Sequence, residues 1–246
     1  MSLLTTALFA DAEINALLDD TAHLAAIVRF ETLLATASAA AGLIPVEAAQ
    51  EIERHLESFV ADDAALARGL ARDGVVVPAL LVAMREGLSA ASRPWLHFGA
   101  TSQDAIDTAW VMQLAAVVPL LQGRLEHLDV ALGARVAQAG AQGLMAHTRM
   151  QAALPFTLGD KLMSWQRALS ECATGLTFAA ERALALQLGG PVGDRASFEG
   201  HGDAIATQLA VLAGLRNAPA WHSNRVALCR LGAEVAAISG ELGKIG

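Results

Sequence analysis

Trp95-Leu96-His97-Phe98-Gly99-Ala100-Thr101-Ser102-Gln103-Asp104 is the stretch around which the rest of the chain is organised. A turn carrying a histidine runs directly into a Thr-Ser-x-Asp helix start. Thr101 or Ser102 serves as N-cap, and Asp104, three residues after Thr101, has the spacing of a capping box. The helix so opened begins with unpaired backbone N–H groups at the positive end of its dipole, which suits a carboxylate ligand. Read in isolation, the pattern specifies a well-capped helix and no more.

Downstream, Ile106, Trp110, Leu114, Val117, Leu121, Leu125, Leu128, Leu132 and Val136 step by three or four. The spacing predicts a helix of roughly 33 residues, roughly 50 Å long at about 1.5 Å per residue. Pro119 is expected to bend it, because proline lacks an N–H and crowds the preceding turn. After a Gly140–Gly143 loop, a second long helix is expected from Pro155 to about Leu188. Its apolar positions follow a heptad: Leu158, Trp165, Cys172, Ala179 and Leu186 share one position, and Leu162, Leu169, Leu176 and Ala183 the other. Such heptads specify near-parallel helix packing. Leu228, Leu231, Val235, Ile238, Leu242 and Ile245 keep the same beat to the chain end. These helices outrun the core of one small globule, about 30 Å across, so part of each is expected to pack on a partner subunit.

Upstream, several short helices are punctuated by turn residues. One runs from Asp19 or Asp20 to Ala41, with Gly42 past its end and Pro45 opening the next, which spans Val46 to about Phe59. A third starts at Pro78, after the turn Arg72-Asp73-Gly74. No internal repeat, low-complexity tract or linker occurs. The expected fold is all-α, with a small N-terminal helical domain over 1–98 and a long-helix bundle domain over 99–246.

Composition agrees with helices. Of 246 residues 54% are hydrophobic, only 4% are aromatic and tyrosine is absent, which disfavours strands. The net charge of −8 argues against nucleic-acid binding, which needs basic patches. Two cysteines, Cys172 and Cys229, fall inside apolar helical patterns and read as buried free thiols of a reducing compartment. The N-terminus carries no basic-then-apolar signal and no run of about 18 uninterrupted apolar residues occurs, so a cytoplasmic protein without a membrane partner is expected.

The Trp95–Asp104 stretch resembles the first signature of the fumarase/aspartase superfamily, in the branch containing adenylosuccinate lyase and the muconate cycloisomerases. Thr148-Arg149-Met150-Gln151-Ala152-Ala153-Leu154-Pro155-Phe156-Thr157-Leu158-Gly159 resembles its second signature, a Thr-His-x-Gln…Pro-x-Thr-Leu-Gly run. Gln187-Leu188-Gly189-Gly190-Pro191-Val192-Gly193 and Trp221-His222-Ser223-Asn224-Arg225 resemble loops flanking the later core helices. The resemblance covers most of the chain in register. It implies a central bundle of long antiparallel helices from four subunits, with each active site assembled from three of them, and no metal or other cofactor. The third signature, a Ser-Ser-x-Met-Pro-x-Lys-x-Asn-type loop, is not found in these 246 residues, so a version incomplete at the C-terminal end is expected.

Departures from the pattern direct the reaction expected. His97 stands where the branch has a histidine. A second histidine is replaced within Gly74-Val75-Val76-Val77-Pro78, and a third by Arg149. Arginine stays charged, so that exchange loses a proton shuttle and gains a carboxylate clamp. These departures resemble the cycloisomerase branch, whose reaction closes 3-carboxy-cis,cis-muconate to a carboxymuconolactone without expelling a leaving group. The resemblance implies His97 and Ser102 as catalytic residues, with Thr101, Thr148, Arg149 and Gln151 binding a tricarboxylate substrate. Alternatives are a fumarate-releasing lyase, such as one acting on adenylosuccinate, and an inactive helical assembly module. Asp104 reads as a support of the helix start, Arg149 as a carboxylate ligand or a structural ion pair, and Arg225 as a matching arginine whose role can be structural. Trp221 and His222 read as an apolar anchor and a surface histidine, Lys161 as a solvated charge, and Gly189-Gly190 as a turn.

Overall fold

The computed structural model describes residues 10–246; the N-terminal reading above rests partly on residues 1–9, which lie outside the described residues. The chain divides into two compact units. One comprises the chain up to Ala116 together with Leu184–Arg225, and the other Val117–Ala183 with Val226–Gly246.

In the first unit, local caps set the helix boundaries. Asp11 opens α1 (Ala12–Leu18), and Asp19 opens α2 (Asp20–Ala40) by accepting from the Ala22 N–H at 2.8 Å. Pro45 precedes α3 (Val46–Glu57). Asp62 caps α4 (Asp63–Asp73), which ends on Gly74 in the left-handed region at φ 76°. This helix was legible only as the turn that closes it. Next comes α5 (Val77–Glu86), and then α6 (Ser102–Ala139), a helix of 38 residues with Pro119 inside it. Its first 15 residues belong to this unit, as does α8 (Gly202–Ala213).

The unit's core forms where α2 packs on α3 and α8. Ile27, Phe30 and Leu34 of α2, Ile52 of α3, Leu80 and Met84 of α5, and Ile205 and Leu209 of α8 are all buried to within 2%. Each such side chain contributes roughly 1.5–3 kcal/mol by leaving water. By length and composition α6 would suffice to cross a membrane, but half of its most apolar stretch is buried within the chain.

The second unit holds the rest of α6, a β-hairpin, α7 (Leu158–Ala183) and α9 (Val226–Ile245). Here the expected helix from Pro155 to Leu188 is corrected at both ends. Residues 143–157 form an antiparallel hairpin, β1 (Gly143–Thr148) with β2 (Gln151–Thr157), and Pro155 pairs with Met145 inside it. The cause is a capping box one turn later than expected. The Thr157 N–H and Oγ1 both donate to Asp160 Oδ2, at 2.9 and 2.7 Å, and the Asp160 N–H donates to Thr157 Oγ1 at 3.1 Å. At the other end the helix stops at Ala183, because Ala185 enters a parallel bridge with Arg216; Leu186 joins the first unit, fully buried.

Within those limits the heptad holds. Leu162, Leu169, Cys172, Leu176, Ala179 and Ala183 are buried on α7, against α9 with its buried Leu231 and Ile238. Trp165 is half-buried, with Lys161 Nζ lying 5.1 Å from its ring centroid. Cys172 is buried as expected, but Cys229 is exposed, one step off the stripe through Leu228 and Leu231.

Candidate functional site

His97 sits in a turn held at three points, two on the backbone and one on the side chain. Its own φ is +64°, a left-handed conformation that costs a β-carbon-bearing residue of order 1–3 kcal/mol and persists only where the surroundings impose it. Arg85 Nη2, on α5, donates to the Leu96 carbonyl at 2.9 Å. Gly99, at φ +77°, lies so close to Phe198 that a β-carbon there would come within 2.6 Å of its ring, and the Ser197 hydroxyl donates to the Gly99 carbonyl at 2.5 Å. The third hold is on the side chain. His97 Nδ1 lies 2.6 Å from Glu31 Oε1, with the imidazole 10% exposed and the carboxylate fully buried. A carboxylate only accepts, so Nδ1 carries the hydrogen and Nε2 is the nitrogen left for other chemistry.

Glu31 was missed in the sequence reading, although a signal exists. It lies in the middle of α2 on the apolar stripe of Ile27, Phe30, Leu34 and Ser38, where a carboxylate is tolerated only if something pairs with it.

Two residues on, the start of α6 confirms half of the expected capping box. The Thr101 N–H donates to Asp104 Oδ2 at 3.1 Å, with Thr101 in the N-cap position. Asp104 does far more than cap. Its buried carboxylate also accepts from Gln187 Nε2 and the Gly189 N–H on Oδ1, at 2.9 and 2.8 Å, and from the Gly190 N–H on Oδ2 at 2.9 Å. Gln187 is held in turn: its Oε1 accepts from the Trp221 N–H at 2.6 Å, and its carbonyl accepts from the Thr108 hydroxyl at 2.7 Å. The Gly189-Gly190 turn is therefore the lid of a buried polar knot. The hydroxyls of Thr101 and Ser102, half-buried at the helix start, have no partner among the described residues.

The neighbouring Trp221–Arg225 loop is structural. Arg225 Nη1 pairs with Asp107 Oδ1 at 2.7 Å and its guanidinium lies 5.2 Å from the Trp221 ring centroid. His222 is corrected from a surface residue to a half-buried one, packed against Gly193 with its Nδ1 shut away from solvent. In the same unit a cleft of about 590 Å³ is lined by Asp20, His23, Leu66, Val75, Val76 and Ile106, so His23 adjoins the stretch that lacks a histidine of its own.

Thr148, Arg149 and Gln151 belong to the second unit, at the tip of the hairpin. Thr148 pairs with Gln151, and the two-residue loop between them has φ +47° at Arg149 and +64° at Met150. Both central residues in the left-handed region make this the twist-matched hairpin turn that usually takes Asn-Gly. All four residues are exposed, and Arg149 forms no ion pair among the described residues. Among the described residues no group of three His, Cys, Asp or Glu side chains is placed to hold a metal.

Residues 10–246 match the sequence family described as Lyase, and the chain belongs to that family. The chain is 31% identical, over its whole length, to the 3-carboxy-cis,cis-muconate cycloisomerase of Acinetobacter baylyi and covers 56% of that protein. It is 32% identical to the enzyme of the same name from Bradyrhizobium diazoefficiens, over all of this chain and 55% of the relative. The crystal structure of the 3-carboxy-cis,cis-muconate lactonizing enzyme from Pseudomonas putida superimposes with a TM-score of 0.93 at 31% identity, over 99% of this chain and 56% of that one. The chain thus spans a little over half the length of the relatives it matches, and the resemblance to the cycloisomerase branch holds across all of it.

Proposed function

We propose that the protein containing this chain closes 3-carboxy-cis,cis-muconate to a carboxymuconolactone. One substrate carboxylate oxygen forms a bond to an alkene carbon, the π pair moves to the neighbouring carbon, and that carbon takes up a proton. No group leaves, so one proton donor suffices. His97 Nε2 is that donor, and the Ser102 hydroxyl at the helix start is the second catalytic group. A second substrate carboxylate is met by the Thr101 hydroxyl and the N-terminus of α6. Arg149, with Thr148 and Gln151, clamps a further carboxylate. The observation that carries this reading is Arg149, a permanent cation without a partner among the described residues, at the tip of the second signature in a relative of cycloisomerases.

The working form is a cytoplasmic homotetramer whose sites draw residues from several subunits. It needs no cofactor and binds neither nucleic acid nor membrane. The reading is tested with the protein as the gene encodes it, following diene absorbance with 3-carboxy-cis,cis-muconate and running adenylosuccinate in parallel. Loss of the diene signal is expected, and His97→Ala or Arg149→Ala is expected to slow it by about 10²-fold or more. Turnover of adenylosuccinate with the diene untouched replaces this reading by the fumarate-releasing lyase.

A further inference from the structure

We infer that Glu31 is a positioning residue for His97, fixing which imidazole nitrogen faces the substrate. The inference rests on the reading of His97 as the proton donor given above. Three observations carry it. Glu31 is fully buried yet has a single hydrogen-bonding partner, His97 Nδ1 at 2.6 Å; its second oxygen, Oε2, is buried with none. A carboxylate kept in an apolar core with one oxygen unsatisfied is costly, and a purely architectural position on that stripe would be filled at less cost by leucine. The cost is borne for the one bond it makes.

The second observation is the direction of the restraint. The His97 backbone is already held by Arg85 on the Leu96 carbonyl and by Ser197 on the Gly99 carbonyl, so the turn does not need Glu31 for its path. What those contacts leave open is rotation of the ring and the choice of tautomer. A carboxylate on Nδ1 settles both, placing the hydrogen on Nδ1 and presenting Nε2. The third is rigidity. Glu31 stands on α2 between Phe30 and Leu34, exposed by 0% and 2%, in the buried core of the unit, so its carboxylate has little freedom to follow a moving ring.

Ring nitrogen resonances of the intact protein labelled with 15N-histidine test this directly, with His97 assigned by its loss in His97→Asn. The expected neutral form has its hydrogen on Nδ1 in the wild type and a mixture of tautomers in Glu31→Gln. In the diene assay Glu31→Gln is expected to lower kcat about tenfold to 10²-fold with KM little changed. Glu31→Asp should restore part of that loss, and Glu31→Gln with His97→Asn should be no slower than His97→Asn alone. A wild-type His97 with its hydrogen on Nε2 overturns the inference without any variant having to fold. So does Glu31→Gln with wild-type kcat and an unchanged tautomer. Full activity in His97→Asn sinks the proposed catalytic role instead, while the nitrogen spectra still decide whether Glu31 sets the ring.

Discussion

The turn at His97 and the hairpin tip at Arg149 share one backbone peculiarity and differ in everything around it. Both hold residues with side chains at positive φ, +64° at His97 and +47° and +64° at Arg149 and Met150. At His97 the backbone is held by Arg85 and Ser197 and the ring by Glu31, and the adjoining helix start is tied by Asp104 to the Gln187–Gly190 segment. At Arg149 nothing but the two-residue loop imposes the conformation, and Met150 is wholly exposed. One region is a turn held in place by distant parts of its own chain. The other presents its polar groups to solvent.

The largest test of this contrast is Asp104→Ala. It strands three backbone N–H groups and the Gln187 amide in a buried space, at about 1–3 kcal/mol for each unsatisfied group. A loss of roughly 4 kcal/mol or more is expected in urea unfolding, together with loss of diene turnover. A variant of near wild-type stability would show the knot to be dispensable. Met150→Gly probes the other region with the opposite sign. Relieving a left-handed residue that has no supporting contacts should stabilise the hairpin by up to about 1 kcal/mol, read as a higher unfolding midpoint. Destabilisation would mean that the tip is held by more than its loop.

Arg149→Ala should sharpen the division further. Stability is expected to stay within about 0.5 kcal/mol, since the side chain is exposed and unpaired, while turnover falls steeply. Equal losses in both would place Arg149 among the structural residues. The smallest effect lies in the loop leading to the turn. The Glu51 carboxyl accepts from Ser92 Oγ, the Ser89 N–H and Ser89 Oγ, and these bonds, Ser92 first, hold it near 2 instead of its ordinary 4.5. A carboxyl lowered in the folded state stabilises above its unfolded value, and that stabilisation is lost as pH falls through the folded one. Wild type and Glu51→Gln should therefore differ in thermal midpoint at pH 6 and converge between about 4.5 and about 2. A constant difference across that range would rule the interaction out.

These features were unequally legible. Asp19, Asp62, Gly74 and the Thr101–Asp104 spacing act within a few residues of themselves, so they mark helix ends in the bare sequence. The same rule was available at Thr157 and Asp160 and would have placed the start of α7 correctly; the heptad drew the boundary upstream instead. The heptad was right about which face of α7 is buried and silent about where the helix stops, because Ala185 is captured by Arg216, far along the chain.

By itself the sequence determined the helical class, the long helix from the first signature, the packing face of α7, and the branch of the family, all of which follow from periodicity, caps and short motifs. Only the tertiary structure decided what holds the site. Glu31 meets His97 across 66 positions, and Asp104 meets Gln187, Gly189 and Gly190 across 83 to 86. No local rule names those partners. A buried carboxylate demands a donor, but which donor it receives depends on how distant helices close around it.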